Sequence, residues 1–121
     1  FNDNIAVGEF PIDSFPCQKK QNNNNQVLEG YLCMLDHITI PYEIPFRIML
    51  PQNYNDLIVP VAASTSHIAF SSIRMEPTWM ALGQAAGTAA SLALDNNISM
   101  KDLPIDLLQK SLLKQNQVIN L

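Results

Sequence analysis

SIRMEPTWMALGQAAGTAASLALD, residues Ser72 to Asp95, is the stretch on which the reading of this chain turns. Between Pro77 and Leu94 it carries no charged residue, is dense in alanine, and holds Gly83 and Gly87 at a spacing of four. That pattern predicts a buried helix whose glycines let another backbone approach. Pro77 suits the first helical position, which leaves the amides of Thr78, Trp79 and Met80 without partners inside the helix. The helix dipole adds partial positive charge at the same end, so an anionic or electron-rich ligand group is one natural acceptor; water or a local cap is another. A helix of small residues equally marks tight packing on a sheet or a neighbouring helix. A membrane span is rejected, because Gln84, Thr88, Ser91 and the many alanines are less apolar than a Leu or Ile span. Asp95-Asn96-Asn97 also closes the segment without a basic flank.

The 121 residues suffice for one domain or a piece of one, and 47% hydrophobic against 15% charged residues places the chain among globular rather than disordered sequences. A net charge of -4, with no basic cluster beyond Lys19-Lys20, gives no electrostatic footprint for nucleic acid or an anionic membrane, and neither partner is expected. No signal peptide or transmembrane segment is visible in these residues, and the compartment stays open. Cys17 and Cys33 form no C-x-x-C pair, so they support no redox dithiol, zinc site or iron-sulfur cluster.

Outward from the helix, Phe1 to Phe15 suits edge strands and turns, with Gly8, Pro11 and Pro16 punctuating it. The polar tract Lys19 to Gln26 predicts an exposed loop. Val27 to Ile40 and the proline-bracketed Tyr42-Glu43-Ile44 predict two strands, the second ending near Met49. Leu57 to Ala63, LIVPVAA, reads as a strand buried on both faces, with Pro60 forcing an end or a bulge. Ser64-Thr65-Ser66-His67 follows as a polar loop, and Ile68 to Ile73 leads into the alanine-rich helix. Asn96 or Asn97 can close that helix in the left-handed conformation. Ser99 to Asp102 resembles a capping arrangement, and Ile105, Leu108 and Leu112 predict an amphipathic closing helix over Ile105 to Gln115.

A strand, a polar loop and a helix whose N-terminus points back at the loop is the arrangement in which α/β folds bind ligands beyond strand ends. The residues that fill it here, NDLIVPVAASTSHIAFSSIRMEPTWMALGQAAGTAASLA from Asn55 to Ala93, resemble the C-terminal flavin-contacting segment of the FAD-dependent oxidoreductase family. The likeness lies in the Ser-Ile-Arg step and the Pro-Thr-x-Met-Ala-x-Gly-Gln-Ala-Ala-Gly helix. Ile44-Pro45-Phe46-Arg47, Leu50-Pro51 and Gly8 to Cys17 extend it more loosely. Val59-Pro60-Val61 departs from the Ala-Gly-Arg of many relatives, Ser71 from a frequent glycine, and Phe15-Pro16 from a His or aromatic pair.

The resemblance implies an α/β chain: a partial Rossmann-like FAD-binding domain over residues 50-121, with a β-rich portion of a substrate-side domain over residues 1-49. It implies FAD, contacted by Ser66, Ser72, Arg74, Pro77, Thr78, Trp79, Met80 and Gly83, with His67, Arg47 and Arg74 turned toward a small-molecule substrate. No G-x-G-x-x-G occurs, so the half that holds the ADP part of FAD is expected outside this chain, as an N-terminal partner half. Iron-sulfur clusters occur in some relatives, and their ligands would lie elsewhere. The fragment alone is expected to be inactive and to self-associate through the surface the missing half covers. The competing class is a non-catalytic remnant or interaction module that packs through the same helix. No metal ligands are evident: His37 beside Asp36 lacks a third partner, and the serines around His67 lack a G-x-S-x-G elbow.

Overall fold

The computed structural model describes residues 1–14 and 40–121. The expectations for Phe15-Pro16, the two cysteines, the polar tract, Asp36, His37 and nearly all of the strand over Val27 to Ile40 lie outside the described residues.

Two strands, β1 (Asn4–Gly8) and β2 (Tyr42–Pro45), pair antiparallel, and three α-helices follow among the described residues: α1 (His67–Ile73), α2 (Glu76–Asn96) and α3 (Ile105–Lys114). The molecule is thus a small mixed α/β unit. Gly8 faces Tyr42 and Ala6 faces Ile44, with a bulge between Asn4 and Ala6 that shifts the register at the start of β1. β1 packs on α2 and α3, and one core joins Ile5, Ile44 and Met49 to Leu82, Leu108, Leu112 and Ile119, all at 2% exposure or less. That core draws on both sides of residue 49.

The second strand stops at Pro45 rather than near Met49, and Phe46–Met49 continues as a 3-10 turn that buries Phe46 and Met49. Pro45, in extended conformation, ends the ladder and starts that turn. The predicted strand over Leu57 to Ala63 is absent. That segment runs irregularly, held to the 3-10 turn by Val59 N–H donating to Met49 O at 2.8 Å, with Ser64 N–H on Ile48 O at 2.7 Å just beyond it. Leu57 and Val61 are exposed, so the apolar run is not buried on two faces. An apolar run becomes a strand only if a neighbour supplies a ladder, and Pro60 removes one donor from this one.

α2 begins at Glu76, one residue before the predicted start, with Met75 as N-cap and Pro77 in the first turn. It ends as expected, with Asn97 left-handed at φ 52° and its N–H on the Ala93 and Leu94 carbonyls. The helix is not buried all round. Thr78, Leu82, Ala85, Ala86, Ala89 and Ala93 form its buried stripe, while Met80 and Leu94 are 74% and 82% exposed. The close approach predicted for the glycines is also corrected: a Cβ built on Gly83 or Gly87 meets nothing within 4 Å.

α3 follows the predicted period, with Leu108 and Leu112 inward. Ser99 Oγ donates to Asp102 Oδ2 at 2.8 Å ahead of it, within a short 3-10 turn over Met100–Asp102. The tail after α3 is fixed by side-chain amides. Gln117 Nε2 donates to Ile5 O at 2.6 Å and Ala81 O at 3.1 Å, tying β1, α2 and the tail together. Asn4 Nδ2 donates to Ile119 O and to Asn120 Oδ1, while its own Oδ1 accepts from Gln109 Nε2 at 3.1 Å.

Candidate functional site

The polar loop before α1 supplies that helix's cap. Ser66 Oγ accepts from Ala69 N–H at 3.1 Å, which satisfies one of the unpaired donors of the first turn and places His67 inside α1 rather than in the loop. α1 then lies beside β2, and Ser72 near its end meets Tyr42. Ser72 Oγ donates to Phe10 O and is bonded to Tyr42 Oη. Because a hydroxyl has one hydrogen, and Ser72 gives its own to a carbonyl that can only accept, the Tyr42 hydroxyl is the donor of the second bond.

Gly8 makes the position of that ring possible. A Cβ at Gly8 would stand 2.7 Å from Tyr42 Cζ and Oη, so the tyrosine occupies the volume a side chain would take. Burial raises the Tyr42 phenol above its ordinary pKa of 10.0. The hydroxyl is therefore neutral throughout the physiological range.

Around these groups lies an open cavity of about 620 Å³. β2 and the turn after it give Ile44 and Ile48, α1 gives Ile68 and Ile73, and the N-terminal segment gives Phe10 and Ile12. Ser64, Thr65 and Ser66 join the lining from the loop that caps α1. Glu43 also lines it, its carboxylate bonded to the Phe1 amino group at 2.7 Å and to Asn4 Nδ2 at 3.3 Å.

Of the residues singled out from sequence, Ser66 and Ser72 line this cavity, and His67, Arg47, Arg74, Pro77, Thr78, Trp79, Met80 and Gly83 do not. Arg74 Nη2 pairs with Asp13 Oδ2 at 2.9 Å, half-buried. Arg47 Nη1 pairs with Asp3 Oδ1 at 3.1 Å on the surface, its guanidinium 5.2 Å from the centre of the Phe1 ring. Both guanidinium groups thus already face an aspartate, and His67 is exposed on the first turn of α1.

The N-terminus of α2 differs from expectation in one respect. Trp79 N–H donates to Met75 O at 3.0 Å, so the one-residue shift of the helix start places Trp79, and Met80 after it, within the bonded ladder. Glu76 and Thr78 carry the amides of the first turn, since Pro77 has none. Beside them the Trp79 indole N–H is buried with no acceptor among the described residues. From this end the uncovered face of α2 runs through Met80, Gly83 and Gly87. No group of metal-ligating side chains occurs among the described residues, and no helix among them is long and apolar enough to cross a membrane.

Tyr42, read as part of a strand, and Gly8 and Phe10, read within the Gly8 to Cys17 segment, were not singled out as site residues. Their signal was weak: Tyr42 sits between two prolines, but its partner Ser72 lies thirty positions away, where no local pattern reaches.

A model of the FAD dependent oxidoreductase family matches residues 1–112. No curated protein and no solved structure matches the chain.

Proposed function

Since the chain belongs to the FAD-dependent oxidoreductase family, we propose that it forms the flavin-ring side of the enzyme's cofactor site, with the first turn of α2 turned to the isoalloxazine. The observation that carries this reading is the uncovered face of α2. Open space over Gly83 and Gly87 and exposed Met80 leave this face free to be covered, with the first-turn amides of the helix at one end. Such a surface fits an aromatic ring system with acceptor atoms on one edge, and these residues hold no G-x-G-x-x-G turn for a pyrophosphate. The ADP half of FAD is accordingly held by an N-terminal half of the enzyme, which carries the glycine-rich turn and completes a Rossmann-like domain with residues 50-121; residues 1-49 belong to the substrate side.

When bound, the flavin supplies two-electron redox chemistry. The chain's own part is electrostatic. The amides of Glu76 and Thr78 and the dipole of α2 direct positive potential at the edge where negative charge gathers, and fixed dipoles stabilise charge without reorganising. The family resemblance assigns Arg74 and Arg47 to a substrate carboxylate or hydroxyl; in the chain alone Asp13 and Asp3 face them. His67, exposed at the start of α1, is given its proton-transferring role by the family resemblance.

Trp79, the sole tryptophan in the sequence, reports on the proposed contact. Titration with riboflavin, the ring system without the ADP, is expected to quench its fluorescence saturably, and ADP is expected to leave it unchanged. Quenching by ADP, or none by riboflavin up to its solubility, would overturn the proposal.

A further inference from the structure

We propose that the cavity between β2, α1 and the segment around Phe10 is a second binding site, which takes a neutral, largely apolar molecule of ring size through one donated hydrogen bond: a phenol or a hydrophobic alcohol. Of the flavin contacts implied by the family resemblance only Ser66 and Ser72 line this cavity, and no residue of α2 does, so the inference rests on a surface separate from the proposed α2 contact.

Size and lining fix most of the ligand's character. A volume of about 620 Å³ lies within the roughly 300–1,000 Å³ of small-molecule sites, which are mainly apolar with a few placed polar groups. Isoleucines 44, 48, 68 and 73 and Phe10 supply the apolar wall. Glu43, the one carboxylate among the described lining residues, accepts from Asn4 Nδ2 at 3.3 Å, and the rest of that lining carries no charged side chain.

The single hydrogen bond follows from proton counting. Ser72 gives its hydrogen to Phe10 O, and Tyr42 gives its hydrogen to Ser72. Each oxygen keeps lone pairs but no free hydrogen, so Tyr42 Oη offers the cavity an acceptor. A ligand with a hydroxyl extends the relay by one member: ligand O–H to Tyr42, Tyr42 to Ser72, Ser72 to the Phe10 carbonyl. A ligand able only to accept would have to break the Tyr42–Ser72 bond and leave Ser72 Oγ short of a partner. Gly8 holds the relay in register, because only a residue without a Cβ leaves the tyrosine ring its place.

Calorimetric titration of the chain with 4-propylphenol, its methyl ether 4-propylanisole, and tyramine tests this. The phenol is expected to bind about tenfold tighter than the ether, the worth of one hydrogen bond, and tighter than the cationic tyramine. In Tyr42→Phe the phenol should fall to the ether's affinity while the ether's own affinity holds, which also shows that the cavity has survived the substitution. Ile68→Trp, which narrows the cavity, should weaken both. Equal affinities for phenol and ether in the unaltered chain, a preference for tyramine, a phenol preference that persists in Tyr42→Phe, or no binding of any probe would each overturn the proposal.

Discussion

Gly8 and Gly83 show how the same residue type is constrained by opposite surroundings. At Gly8 an added methyl would meet the Tyr42 ring at 2.7 Å, and that ring is tethered by its hydroxyl to Ser72. Gly8→Ala should therefore cost ~1–3 kcal/mol, as overpacking does, read as a lowered urea midpoint at unchanged slope. At Gly83 an added methyl meets nothing, so helix propensity decides and Gly83→Ala should raise the stability of this chain by up to ~1 kcal/mol. A loss there would mean that this helix face is covered after all, for example by a second copy of the chain. Tyr42 adds a pH dependence. Its folded pKa is raised by burial, so the folded state retains the phenolic proton while the unfolded chain loses it near 10.0. The associated stability is complete below pH ~10 and is lost as pH rises from there through the folded value. Tyr42→Phe should flatten that alkaline decline in thermal melts across pH 9 to 11; an unchanged slope would assign it to other groups.

Among elements, the closing helix and the end of α2 were legible because their signals are local: a period of apolar residues at Ile105, Leu108 and Leu112, and Asn97 before Ile98. The face of α2 was not legible. When nearly every side chain is small, inward and outward positions carry almost the same composition, and the buried stripe from Leu82 to Ala93 emerges only against β1 and α3. The misread strand at Leu57 to Ala63 fails for a related reason, since apolar content predicts burial but not a ladder partner. In the candidate site, the serine that caps α1 was noticed and its effect was not: Ser66 turns His67 from a loop residue into a helical one. The side-chain amides that hold the tail were beyond reach, as Gln117 and Asn4 act across more than a hundred positions. Asn4→Ala strips donors from Ile119 O and an acceptor from Gln109, and should cost ~1–3 kcal/mol by leaving buried groups unpaired. Hydrogen exchange should then quicken first in β1 and the residues after α3. Exchange quickening evenly through α2 instead would place the lock elsewhere.

At the scale of the whole molecule, the family match over residues 1–112 and the uncovered side of α2 belong together. Leu94, Leu113, Val118 and Leu121 add exposed apolar side chains to that of Met80. Gel filtration of the chain is expected to give an apparent mass that rises with concentration, and FAD added beforehand is expected to separate from it. A yellow peak that keeps its flavin would show that these residues bind the cofactor without a second half. The central claim, that the first turn of α2 meets the flavin ring, is tested most directly by the amide spectrum of the labelled chain during titration with riboflavin. The account predicts shifts concentrated at Glu76, Thr78, Met80, Gly83 and the Trp79 indole, with ADP producing none; shifts confined to other elements, or their absence at the α2 N-terminus when riboflavin is near saturation, would contradict it.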